Sequence, residues 1–331
     1  MTASPEAPSA ALEPSQRIPD FYIVGHPKCG TTALYEMLRD HPQIFMPELK
    51  EPWFFASDMR PRFQPPRSAP PFETIEEYRA LFSGAAPGQR IGEASSAYLL
   101  SHTAAAQIAE ARPDARIIAI LREPASFLRS LHIQLLRTHV EGERSFRRAI
   151  ELEPERRAGR KIPRRSHRPQ LLMYSDHVRY AEQLRRYHEA FGPEQVLVLI
   201  YDDFRADNER TVRTVRRFLG VDEAPPVRST DANSTTVMMR SQQMDELLNV
   251  ISVGRGPVSR GVKAVLKALT PDALRKRAMF ATQRHLVMGK PEPLDEELMS
   301  ELRHRFRGEV EAIGEYLDRD LVALWGYDRR G

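Results

Sequence analysis

The segment FYIVGHPKCGTTALYEML, Phe21 to Leu38, runs an apolar stretch of strand length straight into a glycine-containing loop and then into a helical pattern. Phe21 to Gly25 reads as a buried strand, and Leu34, Met37 and Leu38 recur at helical spacing within Thr31 to Asp40. A strand that empties through a short loop into a helix is the building unit of a parallel sheet covered by helices. The same junction aims unpaired backbone N–H groups and the positive end of a helix at whatever occupies the loop, which suits phosphate. Gly25 and Gly30 permit close backbone approach, Lys28 adds a localised cation, and Thr31 and Thr32 add hydroxyl donors.

The loop departs from the ATP-binding pattern G-x-x-x-x-G-K-[ST], because Thr31 stands where that pattern needs lysine and the cation has moved to Lys28. A partner aspartate for magnesium is missing too: the strand RIIAILREP, Arg116 to Pro124, ends on Arg122 and Glu123. These departures predict phosphate recognition without metal-assisted ATP chemistry, leaving an ATP-dependent small-molecule kinase as a weaker alternative. Cys29 is the only cysteine, which excludes an intramolecular disulfide and a thiolate-rich metal site. No metal is expected.

Further strand and helix patterns alternate along the chain. Arg116 to Leu121 and Gln195 to Tyr201 read as strands; Ala125 to Thr138, Tyr174 to Phe191, Asn208 to Leu219 and parts of Leu294 to Leu324 read as helices. The expectation is an α/β fold with a P-loop-like parallel sheet flanked by helices and with additional C-terminal helices. Residues 1–19 read as a flexible leader and 20–331 as a single domain. A proline-rich excursion spans Ser57 to Phe72, and GRGPVSRG, Gly254 to Gly261, reads as an exposed turn with nucleotide contacts as the alternative. The arginine-rich stretch Arg156 to Arg168 reads as exposed: a solvated loop first, a lid for an anionic substrate second, a nucleic-acid patch last. Its own apolar stripes are broken by charge.

A formal charge of +4 fits an anionic ligand without indicating specific nucleic-acid binding. The apolar runs are strand-sized, well short of the roughly 20 residues of a membrane span, and no secretory pattern opens the chain, so a cytoplasmic location is expected. Oligomeric state is not legible.

A second anion-binding candidate lies at the end of the strand Arg116 to Leu121. Arg122 sits at a strand end and Ser130 follows it by eight residues, in reach of a phosphate from the next helix. PKCGTT, Pro27 to Thr32, together with LREPASFLRS, Leu121 to Ser130, resembles the nucleotide-binding pattern of sulfotransferases that use 3'-phosphoadenosine 5'-phosphosulfate, PAPS. The resemblance extends over about Phe21 to Val221. It implies that Lys28, Cys29, Gly30, Thr31 and Thr32 hold the 5'-phosphosulfate end and that Arg122 and Ser130 hold the 3'-phosphate, with Lys28 also stabilising the transferring group.

LKEPWFFA, Leu49 to Ala56, supplies a candidate base, Glu51, with Trp53, Phe54 and Phe55 as an expected low-dielectric wall. KEPWFF is similar to the KEPHFF of carbohydrate sulfotransferases related to the heparan sulfate enzymes and bacterial relatives, in which the glutamate is the proposed base; Trp53 stands for the histidine. Lys50 is a further donor-side or acceptor-side candidate. IGEASSAYL, Ile91 to Leu99, adds Glu93 as a second base candidate and Ser95 and Ser96 as acceptor contacts, while Ala94 occupies the position often held by lysine in that branch. His26, His102, His132 and His139 are alternative bases or anion contacts, each read first as a structural histidine. The resemblance implies sulfuryl transfer to a hydroxyl of a carbohydrate, glycolipid or glycosylated metabolite, with a phenolic natural product as the alternative acceptor.

Overall fold

A computed structural model describes residues 18–64, 72–227 and 293–328, with the backbone alone of 238–239 and 288–289. The leader reading of residues 1–17, the turn Gly254 to Gly261 and the centre of the proline-rich excursion lie outside the described residues. The core already includes Ile18, which is buried.

Five strands, β1 (Phe21–Gly25), β2 (Ile44–Phe45), β3 (Arg90–Ala94), β4 (Arg116–Leu121) and β5 (Val196–Ile200), form a parallel sheet in the order β2-β3-β1-β4-β5. Every residue of β1 is buried and β4 is buried throughout after Arg116, because helices cover both faces of the sheet. That accounts for continuous apolar runs where a half-exposed strand would alternate. β1 pairs with β3 through Tyr22 against Glu93 and Ile23 against Ala94, and with β4 through Ile23 against Ile118. Leaving β1, the chain builds β2 and β3 on one side, then crosses to β4 on the other. The C-terminal ends of β3, β1 and β4 therefore open side by side, where α/β sheets bind ligands.

The helices α1 (Thr31–Arg39), α2 (Ile75–Ala80), α3 (Ala104–Ala111), α4 (Pro124–Arg137), α5 (Phe146–Glu151), α6 (Glu153–Arg157), α7 (Tyr180–Phe191), α8 (Tyr201–Ala206) and α9 (Asn208–Leu219) follow their local signals. Helix α1 begins at Gly30, α4 starts with proline at its first position, and α9 stops at Gly220 in a left-handed conformation. A long helix, Glu296–Tyr316, capped by Asp295, packs on α4 and on α7 (Tyr180–Phe191). The helix expected from Tyr174 starts only at Tyr180, since Tyr174–Val178 form a 3₁₀ turn. Side chains claim carbonyls there: Gln183 Nε2 donates to Asp176 O at 2.8 Å and His177 Nε2 lies 3.0 Å from Leu171 O.

The arginine-rich stretch is corrected in two places. Arg156, in the short helix α6 (Glu153–Arg157), is buried rather than exposed, its fork meeting Glu141 at 2.6 and 2.7 Å while the Tyr174 hydroxyl donates to the same carboxylate at 3.1 Å. Arg168, at the other end, turns back into the wall of a cavity. Arg160 and Arg164 between them are exposed, as the composition suggests.

Removing one member of a buried ion pair strands the other charge, which costs about 3–5 kcal/mol, whereas removing both costs less. Arg156→Met is therefore expected to lower stability by that order in urea unfolding, and adding Glu141→Leu to recover part of it. An additive double variant would show that the two residues act independently.

Candidate functional site

Two cavities open at the C-terminal edge of the sheet. The smaller, about 180 Å³, is lined by Lys28, Gly30, Thr31, Thr32, Arg122 and Ser130, so the loop after β1 and the end of β4 face one another as expected. Gly30 holds φ of 87°, and a Cβ there would lie 2.9 Å from the Phe204 ring; only glycine closes this turn without strain. Helix α1 starts with no side-chain cap and no acidic residue in its first turn, leaving its N–H groups and positive end for a ligand.

The start of α4 differs. Glu123 accepts from the N–H groups of Ala125 and Ser126 at 3.0 and 2.7 Å, so a carboxylate already occupies that helix terminus. What the β4 end presents to the cavity is therefore side chains. Arg122 is clamped by donation to Lys28 O and Ser126 Oγ, both at 3.1 Å, with its guanidinium 4.8 Å from the Tyr201 ring centre. Ser130 Oγ is buried with no hydrogen-bond partner among the described residues, an unpaired polar atom at the cavity wall. Lys28 adopts φ of 64° and has no ion-pair partner among the described residues. Burial, then the charges of Arg137 and Arg122, hold its ammonium below the usual lysine range, a repulsion that an anion would relieve.

Cys29 stays out of this cavity. Its thiol is buried and pushed up to about 12, chiefly by desolvation, and its backbone N–H donates to His26 O at 3.3 Å. His26 is also buried and is held down to about 3 by desolvation and by His177, with Nε2 2.7 Å from Gln183 Oε1. The imidazole is packed in the core and lines neither cavity.

The larger cavity, about 620 Å³, is walled by Pro52, Trp53, Phe54, Met59, Leu131 and Leu171. Both cavities share Pro27, Lys50, Glu51, Ser96 and Gln134, which places the candidate base at their junction. Glu51 reaches it through a left-handed backbone, φ 62°, with its N–H donating to Ala94 O at 3.0 Å. Its Oε1 meets Lys50 Nζ at 2.7 Å and Ser96 Oγ at 2.8 Å; its Oε2 accepts from Trp53 Nε1 at 2.9 Å and Ser96 N at 2.8 Å. Ionised carboxylates have about four lone-pair sites, so the group is saturated and rigidly aimed. Ser96 thus spends its hydroxyl on Glu51, and Ser95 Oγ accepts from Trp53 N at 3.1 Å, positioning that indole.

The expected aromatic wall is two residues, not three. Phe54 stacks on Tyr78 with ring centres 4.4 Å apart and lines the cavity, whereas Phe55 is buried against Tyr22, Tyr78 and Tyr98. Glu93 lines neither cavity; it is fully buried in β3, accepting from Tyr78 and Tyr98 hydroxyls at 2.9 and 2.8 Å. Among the histidines considered, His139 borders the larger cavity, His102 is exposed, and His132 is bound between Tyr174 OH and Arg144 O. Sequence reasoning passed over Ser126, Gln134 and Tyr201, and took Arg168 only as the end of an arginine-rich stretch whose second reading was a lid for an anionic substrate. Ser126 and Gln134 share the helical face of Ser130 at four-residue steps, a signal that was available.

The family model for the sulfotransferase domain matches residues 18–263, most of the chain. The chain belongs to the sulfotransferase family. A crystal structure of a sulfotransferase from Alicyclobacillus acidocaldarius superposes with TM-score 0.65 at 28% identity, covering 93% of this chain and 99% of that one. Human heparan sulfate glucosamine 3-O-sulfotransferase 3A1 is 31% identical over 136 residues, 40% of this chain and 30% of that protein. Human carbohydrate sulfotransferase 15 is 57% identical over 35 residues, 11% of this chain and 6% of that protein. The chain thus spans less than a third of the length of these curated relatives. No described helix is long and apolar enough to cross a membrane, and no group of three or more potential metal ligands forms among the described residues.

Burial raises the Glu93 carboxyl to about 7, above its ordinary 4.5. A raised acid favours the folded state while protonated, so its contribution is full below pH 4.5 and is lost as pH rises through about 7. The loss is on the order of 3 kcal/mol. Wild-type stability is expected to fall more steeply from pH 5 to 8 than that of Glu93→Gln; parallel thermal-denaturation profiles would show that the carboxyl does not titrate there.

Proposed function

We propose that the enzyme transfers a sulfuryl group from PAPS to a hydroxyl of a carbohydrate, glycolipid or glycosylated metabolite, with Glu51 as the base. The observation that carries this reading is the shared wall: an anion cavity and an apolar cavity meet at Lys50, Glu51 and Ser96. The carbohydrate relatives support the acceptor class. The open start of α1 and Lys28 suit the phosphosulfate end of the donor, and Arg122 with the unpaired Ser130 hydroxyl suits the 3'-phosphate. The fit rests on Lys28 and Arg122, which have no carboxylate partner among the described residues, and on the buried Ser130 hydroxyl, which has no bond among them. Hydrolytic nucleotide chemistry is less well supported, because Glu123 is committed to the α4 terminus and to the Tyr327 hydroxyl, 2.7 Å away.

In the proposed transfer the acceptor oxygen forms a bond to sulfur from the side opposite the leaving phosphate oxygen, and the sulfur–oxygen bond to that phosphate breaks. The acceptor proton passes to Glu51. The leaving nucleotide carries an acidic phosphate and needs no protonation, so the demand for proton transfer lies on the acceptor side. Since Glu51 is saturated, an acceptor hydroxyl must displace one of its donors; Ser96 N is fixed by backbone, which leaves Lys50, Trp53 or the Ser96 hydroxyl to yield. Lys28, on the wall of the smaller cavity, would stabilise charge on the transferring group, a contribution to rate where the contact strengthens in the transition state. A phenolic acceptor is the second reading, favoured by the aromatic and aliphatic wall around Trp53 and Phe54.

Glu51→Gln is expected to lower kcat by about 10²- to 10⁴-fold while leaving the affinity for desulfonated PAPS nearly unchanged. Normal turnover in a PAPS-consumption assay would remove Glu51 from the role. Arg122→Ala is expected to weaken desulfonated PAPS by about tenfold or more, the worth of a charge-assisted bond, and to weaken adenosine 5'-phosphate far less. Equal losses for both nucleotides in calorimetry would defeat the assignment to the 3'-phosphate.

A further inference from the structure

The stretch that begins at buried Arg156 delivers Arg168 into the wall of the larger cavity. The guanidinium carbon lies 4.1 Å over the Trp53 ring, and Nε donates to Met59 O at 3.0 Å. Together these contacts fix the plane of the fork and engage one of its nitrogens. Its two terminal nitrogens make no hydrogen bond, and no carboxylate pairs with it, among the described residues. Trp53 in turn donates its Nε1 to Glu51, so Arg168 lies over the face of the same indole that holds the proposed base at its edge.

Charge around the cavity is uneven. Lys50, Arg60 and Arg168 line it against Glu51 alone; Lys50 is spent on Glu51 and Arg60 is exposed at the rim. Beside Arg168, burial and the arginine charge push His167 down to about 4, so that ring adds no positive charge near neutrality. Most of the remaining wall is apolar. One oriented, half-buried guanidinium in an apolar cavity matches one planar anion, since the arginine fork meets carboxylate-like groups with two parallel bonds. A chain of repeated anionic units would need several such cations.

We infer that Arg168 is an anchor for an acidic group on the acceptor, and that the larger cavity takes a hydroxyl compound with an apolar body and a single negative charge. This deepens the sulfuryl-transfer reading and rests on it for the term acceptor, although the binding itself is measurable without donor. Trp53 then has two tasks: it clamps the arginine on its face and holds Glu51 at its edge. The anion and the reacting hydroxyl are thereby set one indole apart.

The test is direct calorimetric binding, without donor, of two matched pairs: phenyl β-D-glucuronide against phenyl β-D-glucoside, and 4-hydroxyphenylacetate against its methyl ester. Wild type, Arg168→Gln and Arg168→Lys are compared, with desulfonated PAPS titrated separately into each. Wild type is expected to prefer the acid of at least one pair by about tenfold, Arg168→Gln to abolish that preference, and Arg168→Lys to retain part of it. The neutral partner should bind all three proteins alike, and desulfonated PAPS should bind them alike. No acid preference in either pair overturns the inference, as does an Arg168→Gln variant that loses acid and neutral ligands equally. If desulfonated PAPS fails to bind wild type, the donor reading falls, and the acid preference still decides the Arg168 assignment.

Discussion

The Glu51 carboxylate holds the site together. Lys50 and Trp53 come from its own loop, whereas both Ser96 donors come from the exit of β3, so one side chain ties an otherwise irregular segment to the sheet. The left-handed backbone at Glu51 and Trp53 is uncommon for such residues and persists only where surrounding bonds enforce it. The Glu51 N–H bond to Ala94 O and the Trp53 N–H bond to Ser95 Oγ supply that enforcement. If the carboxylate is the reacting base, then the group that fixes the loop is also the group that must exchange partners during turnover.

The sheet order explains why distant segments converge. With β1 between β3 and β4, the loop after β1 is flanked by Ser95 and Ser96 on one side and Arg122 on the other, and Arg122 bonds to the carbonyl of Lys28 across that gap. Lys28, Glu51 and Arg122 thus come from segments far apart in sequence without any long loop having to fold back.

How much of this was legible depended on whether the determining contact was local. The β1 loop could be read because strand, glycine and helix signals adjoin, and β1, β4 and β5 follow from apolar runs, whereas β2, of two residues, and β3, with Gly92 and Glu93 inside it, carry no such run. Phe55 was misplaced because three consecutive aromatics carry no indication that the backbone at Glu51 and Trp53 turns left-handed, with Trp53 and Phe54 at the cavity and Phe55 in the core. Arg156 and Arg168 were unreadable for a different reason. A charged residue looks solvated until its partner is known, and the partners here are Glu141 and the Trp53 indole, reached only in three dimensions. Cys29 lay within the recognisable loop, yet its neighbours turn it inward.

The carboxylate of Glu123 at the start of α4 has a consequence for how the two ends of the anion cavity can change. At α1 the cavity is lined by the turn itself, and a side chain put at Gly30 would strike the Phe204 ring. At α4 the helix terminus is already neutralised from within the protein, and Ser130 sits further along a helix whose start does not depend on it. A substitution at Ser130 would therefore change the polarity of the cavity wall without undoing a helix start, whereas one at Gly30 would change the wall and the turn together.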